Sequence, residues 1–353
     1  MSLGFDSIPV IDVSRLASSA EDRAELAVEI TDICHRVGFM IVTDHGVPQE
    51  HLDAVFDMMA TFFALDTDAK RSIDKLDSPW FRGWEAVGSE YTNNRPDMRE
   101  QIDLWTEWPS RPKDVEPSHF RLLGPNQWPP DEVLSGMKEL MSEWYRRMGA
   151  LADALLSSLS SGLGLSENHL RNLFGAEPMS LTKLIHYPPT PSGEAGVNAH
   201  HDAGFLTVLA PGPTPGLQVE NPDGAWIDVP AVDGGLVINL GEMLQAMTNN
   251  YLVATPHRVI TNAERLSAGY FHGPSLDLPL DPLPLDPRFG EAVATSEHHS
   301  RAGFMARKEE TESGVGDMLS DHRASTYGEQ LWNYFSRSYP ANMALHHSDL
   351  AHQ

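Results

Sequence analysis

Apolar positions in the first third of the chain recur at helical spacing. Leu26, Ile30, Ile33 and Val37 lie four, three and four apart, which predicts an amphipathic helix, and Ser19 with Asp22 has the spacing of a capping pair at its start. Leu52, Val55, Phe56, Met59 and Phe63 predict a second helix. Two β-rich runs lie beside these helices. "IPVIDV" (Ile8 to Val13) predicts a short strand, and "FMIVT" (Phe39 to Thr43) predicts another, ended by the turn residues of "DHGVP". From Asp131 onward, Met137, Met141, Trp144, Met148, Leu151 and Leu155 share one face of a long helix, and that stripe reads as core packing. This first part is therefore expected to be mainly helical.

The texture changes after Ala176. "MSLTKLIHYPP", "FLTVLA", "GLQVE", "AWIDVP", "GLVINL", "HRVIT" and "SAGYFH" are short β-rich runs separated by Gly, Pro, Asn and Asp, as in an antiparallel sandwich or barrel, with a jelly roll the leading candidate. "GPSLDLPLDPLPLDPRFG" (Gly273 to Gly290) is too rich in proline for a central strand and is expected to be an extended surface loop. A last helix is predicted over roughly Tyr327 to Ser336. The fold class expected is α+β: a mainly helical region over 1–175 and a jelly-roll region with a C-terminal extension over 176–353, folded as one compact unit.

Composition narrows the partners. Apolar residues at 41% and charged residues at 21% are the proportions of an ordinary soluble globular protein. A formal net charge of −25 repels nucleic acid and anionic membrane, so neither is expected as a partner. Any anionic ligand must meet a local concentration of positive charge, which a metal ion and an arginine would supply. Cys34 is the sole cysteine, no basic segment precedes an apolar one at the N-terminus, and no apolar run is long enough to span a bilayer. A cytoplasmic location is expected.

The chemistry starts in "NAHHDAGFLTVLA". On a strand, His200 and Asp202 would face one way and His201 the other, so the first two could grip one ion while His201 packs or hydrogen-bonds nearby. His257 opens another β-rich run 55 residues past Asp202. Two imidazoles and one carboxylate on one face of a metal are the donor set of non-haem Fe(II) oxygenases, leaving positions for other ligands. Arg265 and Ser267, two apart in "ERLSAGYF", would share a strand face and could bind one carboxylate together. A second H-x-D, His347 to Asp349, lies in a polar tail and is expected to be solvated.

These residues sit in an ordered series: "IPVIDV", "CHRVGFMIVTDHGVP", "FRGWEAVGSE", "DMREQIDLW", "KLIHYPP", "NAHHDAGFLTVL", "TPHRVI" and "RLSAGYF", covering most of residues 8 to 273. In this series the chain resembles the isopenicillin N synthase-like iron(II)/2-oxoglutarate-dependent dioxygenases. The resemblance implies a double-stranded β-helix, the cupin-like jelly roll, with helices packed outside. It implies that His200, Asp202 and His257 bind Fe(II), and that Arg265, Ser267 and Tyr187 hold the distal carboxylate of 2-oxoglutarate. It implies, too, that O2 and 2-oxoglutarate are consumed, with release of succinate and CO2, as a small-molecule substrate is hydroxylated, desaturated or cyclised.

Two other functions use the same residues. An oxidase like isopenicillin N synthase itself takes no 2-oxoglutarate, and a metal-holding protein on this fold would have no turnover. For the substrate pocket the candidates are Phe271, Arg99, Phe304 and Arg307, with Arg82 and Gly83 shaping a turn. The segment from Pro274 to Arg307 is expected to act as a lid, because it leaves the strand that carries Arg265.

Overall fold

The computed structural model describes residues 5–92, 95–190, 194–296, 299 and 326–350. An eight-stranded sheet forms its centre. Its order is Val10–Asp12, Phe39–Thr43, Leu236–Leu240, Leu206–Ala210, Arg265–His272, Leu181–Tyr187, Glu100–Trp105 and Gly83–Glu85. The first pair is parallel and the others antiparallel. A four-stranded sheet, Trp226–Asp228, Leu217–Glu220, His257–Val259 and Val197–His200, completes a jelly-roll core. Four of the eight central strands come from before residue 175, so the N-terminal region is woven into the same sheet.

Helices cover the outside of the large sheet. Met137–Gly162 buries Met137, Met141, Trp144, Met148, Leu151 and Leu155, and the Trp144 indole donates to Thr182 Oγ1 at 3.1 Å, tying the helix to the Leu181–Tyr187 strand. It begins at Met137, not Asp131, because Gly136 at its N-cap takes a φ of +76° and interrupts the helical path. Ala20–Arg36 packs on it and starts with the Ser19/Asp22 capping box. Gln49–Phe63 presents Leu52, Val55, Met59 and Phe63 to the core.

Three features differ from expectation. Glu100–Trp105 is a central strand, buried at all six positions, inside the region read as mainly helical. The proline-rich stretch is irregular up to Asp286, but it is not a surface excursion: Leu276, Leu278 and Leu283 are buried, and Pro287–Ala294 is helical with Phe289 in the core. Most of the remainder of the expected lid, up to Arg307, lies outside the described residues. A second C-terminal helix, Pro340–His346, follows Tyr327–Ser338.

Candidate active site

His200 ends one strand of the smaller sheet and His257 opens its neighbour, and the two are direct cross-strand partners. Their ring centroids are 4.3 Å apart. Asp202 lies beyond the end of the strand, so its placement comes from a loop and not from strand alternation. That loop is held by the Glu242 N–H, which donates to the Asp202 carbonyl at 2.8 Å. Gly241 makes the close approach possible, because a Cβ there would sit 2.0 Å from the Gly204 carbonyl oxygen.

Hydrogen bonds orient all three side chains. His200 Nδ1 is 2.9 Å from the Asn198 carbonyl, and His257 Nδ1 is 3.2 Å from that of Thr255. A carbonyl only accepts, so each Nδ1 carries the proton and each Nε2 keeps its lone pair. Those Nε2 atoms stand 3.7 and 3.5 Å from Asp202 Oδ1. The other oxygen, Oδ2, accepts from Thr207 Oγ1 at 2.6 Å and from Asn239 Nδ2 at 2.7 Å, which leaves Oδ1 to face the histidines. Burial, reinforced by His257, pushes His200 down to about 4. Burial opposes the charge on Asp202, but His257, His200 and the Thr207 hydroxyl outweigh it and hold the carboxyl well below its usual range. The cluster brings two imidazole nitrogens and a carboxylate oxygen within 4.8 Å of one another, and it is the one such cluster among the described residues. That donor set fits a first-row divalent ion.

Arg265 and Ser267 sit on one face of the Arg265–His272 strand, and Tyr187 is the direct cross-strand partner of Arg265. The guanidinium carbon is 5.0 Å from the Tyr187 ring centroid, and Nε donates to the Thr214 carbonyl at 3.2 Å. Arg265 is 2% exposed, belongs to none of the ion pairs among the described residues, and has a buried Nη1 without a hydrogen-bond partner. Burial lowers its pKa. A buried guanidinium with an orphaned donor is suited to an anion brought in by a ligand.

A cavity of ≈ 170 Å³ adjoins His200, His201 and Asp202. Phe271 and Arg99 line it, whereas Phe304 and Arg307 lie outside the described residues. Arg99 is not free in the cavity wall: it pairs with Glu90 at 2.6 Å and Asp97 at 3.2 Å. Arg82 is fully buried away from the cavity and donates to Asn126 Oδ1 and the Leu122 carbonyl, both at 3.3 Å. His347 is not solvated, as the tail's polarity suggests; it is buried, stacked on Phe81, and donates to the Pro79 carbonyl at 2.9 Å, while Asp349 pairs with Arg121 at 2.8 Å. Sequence reasoning missed Glu90, Asp103, Trp105, Lys183 and Tyr334 in the cavity wall. The one available signal was the alternation of Arg99, Gln101, Asp103 and Trp105, which places them on one face of a strand.

Two family models match the chain, the non-haem dioxygenase in morphine synthesis N-terminal region over residues 8–131 and the 2OG-Fe(II) oxygenase superfamily over residues 178–274. A 2-oxoglutarate-dependent dioxygenase, frbJ, of Dothideomycetidae sp. (strain 11243) is 31% identical, over 92% of this chain and 88% of its own. This chain belongs to the 2OG-Fe(II) oxygenase superfamily. The homoarginine-6-hydroxylase 2-ODD-C23 of Glycine max is 33% identical, over 80% of this chain and 90% of its own. Among solved structures, a full-length Neurospora crassa protein in complex with alpha-KG and thymine superposes with a TM-score of 0.69 at 25% identity, covering 78% of this chain and 88% of that one. The dioxygenase for auxin oxidation in rice has a TM-score of 0.59 at 27% identity, covering 79% and 87%. As a member of the superfamily, the protein is an Fe(II)- and 2-oxoglutarate-dependent dioxygenase that oxidises a small molecule with O2.

Proposed function

We propose that His200, Asp202 and His257 are the Fe(II) ligands, and that Arg265, Ser267 and Tyr187 hold the distal carboxylate of 2-oxoglutarate. The observation that carries this reading is the convergence of two imidazole Nε2 atoms on Asp202 Oδ1 while every other polar atom of the three side chains is tied back into the protein. When bound, Fe(II) with 2-oxoglutarate and O2 supplies the oxidising chemistry, in which the keto acid is converted to succinate and CO2 as the substrate is oxidised. The protein's own residues do the positioning. Thr207 and Asn239 fix the carboxylate of Asp202, so that one oxygen points inward. Arg265 offers its fork to a carboxylate, and the Ser267 hydroxyl on the same strand face adds a donor. The cavity beside His200 takes the substrate, with Phe271 and Arg99 in its wall.

Residues 1–175 and 176–353 act as one unit in this reading, since both supply strands to the sheet behind the site. The single cysteine and the net charge of −25 favour a reducing, cytoplasmic setting without nucleic acid or membrane partners. No helix among the described residues is long and apolar enough to cross a membrane.

Oxygen-free equilibrium dialysis tests the assignment. One equivalent of Fe(II) should bind per chain, followed by 2-oxoglutarate. Arg265→Lys keeps the charge but loses the fork, so it should weaken 2-oxoglutarate by about tenfold or more while leaving Fe(II) binding unchanged. Equal 2-oxoglutarate binding in the variant would place the carboxylate elsewhere. Succinate formed in step with oxygen uptake separates this enzyme from an oxidase that bypasses 2-oxoglutarate.

A further inference from the structure

Behind the substrate cavity lies a buried series of alternating charges. Lys75 bridges Glu85 and Asp103, the latter at 2.7 Å. Lys183 bridges Asp103 and Glu90, each at 3.1 Å. Arg99 bridges Glu90 at 2.6 Å and Asp97 at 3.2 Å. The series begins and ends on a carboxylate, so four negative charges face three positive ones among the described residues. All seven are largely withdrawn from water, with side chains no more than 13% exposed. Burial alone would neutralise Glu90, but Lys183 and Arg99 hold it ionised, far below the usual carboxylate range. Burial also opposes the charges on Lys75 and Arg99, and their carboxylate neighbours more than restore them.

One negative charge is therefore left over in the series as a whole, and four of its seven members border the cavity. Glu90, Asp103, Lys183 and Arg99 all line it. Asp103 Oδ1 is buried and has no hydrogen-bond partner, although Oδ2 of the same carboxylate takes both lysines. Two residues along the same strand, Trp105 has a buried indole N–H that is likewise without a partner, and Phe271 and Tyr334 add aromatic surface to the cavity. On the assignment proposed above, the other half of the site is balanced, since Fe(II) and Arg265 match 2-oxoglutarate and Asp202 in charge. Among the described residues no further lysine or arginine pairs with the series, so a cationic substrate would neutralise it.

We infer that this dioxygenase selects a substrate of net charge +1, with an ammonium or guanidinium group directed at the Glu90/Asp103 wall and an acceptor oxygen for the Trp105 indole. Aromatic faces beside the carboxylates favour the same cation. The inference rests on the iron and co-substrate assignment.

Calorimetry on the wild-type protein, loaded with Fe(II) and 2-oxoglutarate without oxygen, tests it independently of turnover. The probes are two pairs of near-isosteres that differ by one charge: L-arginine with L-citrulline, and L-lysine with 6-hydroxynorleucine. The cationic member of at least one pair should bind about tenfold or more tightly than its neutral partner. Glu90→Gln removes the surplus charge and should bring that ratio close to one. Glu85→Gln, which lies outside the cavity, should shift it in the same direction should the first variant fail to fold. Equal or tighter binding of the neutral members, or no binding by any of the four, overturns the inference. Titration of 2-oxoglutarate in the same experiment separates the failures: if it does not bind, the assignment of the site fails first; if it binds and the cations do not, only the charge selection is wrong.

Discussion

Replacing Arg265 by methionine should separate stability from function. The wild-type side chain makes a hydrogen bond from a charged group to the Thr214 carbonyl and an aromatic contact with Tyr187, together worth about 3 kcal/mol. Against this stands the cost of burying a guanidinium that has no carboxylate partner and an orphaned Nη1, an effect of about 3 kcal/mol or more in the opposite direction. The two nearly offset, so the metal-free variant should unfold within about 2 kcal/mol of wild type. Methionine fills a similar volume without charge, which limits any cavity. Binding of 2-oxoglutarate should behave otherwise. Its distal carboxylate would enter a buried site without its partner, a loss of about 3–5 kcal/mol and thus about two to four orders of magnitude in affinity. Urea unfolding of the metal-free protein gives the first quantity, and oxygen-free calorimetry of the Fe(II)-loaded protein gives the second. A variant that loses more than about 3 kcal/mol of stability and still binds 2-oxoglutarate normally would make Arg265 a structural residue and refute the reasoning.

Lys75→Met should cost about 3–5 kcal/mol, because Glu85 and Asp103 would lose a buried shared cation; a urea midpoint close to wild type would mean that the charge series is not ionised as described. Burial lowers the pKa values of His51, His119, His272 and His347, so the unfolded chain, with histidines near 6.5, binds more protons as the pH drops. Stability of the metal-free protein should therefore fall as the pH drops below about 6.5, and a midpoint that stays flat there would contradict the burial of these rings.

Local signals in the sequence survive in the structure where the physics is local. The Ser19/Asp22 capping box and the Phe39–Thr43 strand are where short-range pattern puts them. The convergence of His200, Asp202 and His257, and the strand face shared by Arg265 and Ser267, were legible because H-x-D and R-x-S are each compact in sequence and His257 sits in an ordered series of motifs. Glu100–Trp105 was not legible as a core strand because its polar residues are satisfied at long range. Glu100 is held by Lys70, Trp84 and His186, and Asp103 by Lys75 and Lys183, none of which is adjacent in sequence. The cavity was hidden for the same reason, since its walls come from the 90–105 region, the Leu181–Tyr187 strand, Phe271 and the C-terminal helix. His347 looked like a solvated tail residue because nothing in its vicinity announces the packing of Phe81 and Trp332 around it.

Iron content per chain, measured after oxygen-free loading with Fe(II) and gel filtration, tests the central assignment most directly. His200→Ala, Asp202→Ala and His257→Ala should each lose the tightly held equivalent, while His201→Ala should retain it, with far-UV circular dichroism confirming that all four variants are folded. Retention of iron in a folded His200→Ala or His257→Ala variant, or its loss in His201→Ala, would contradict the account.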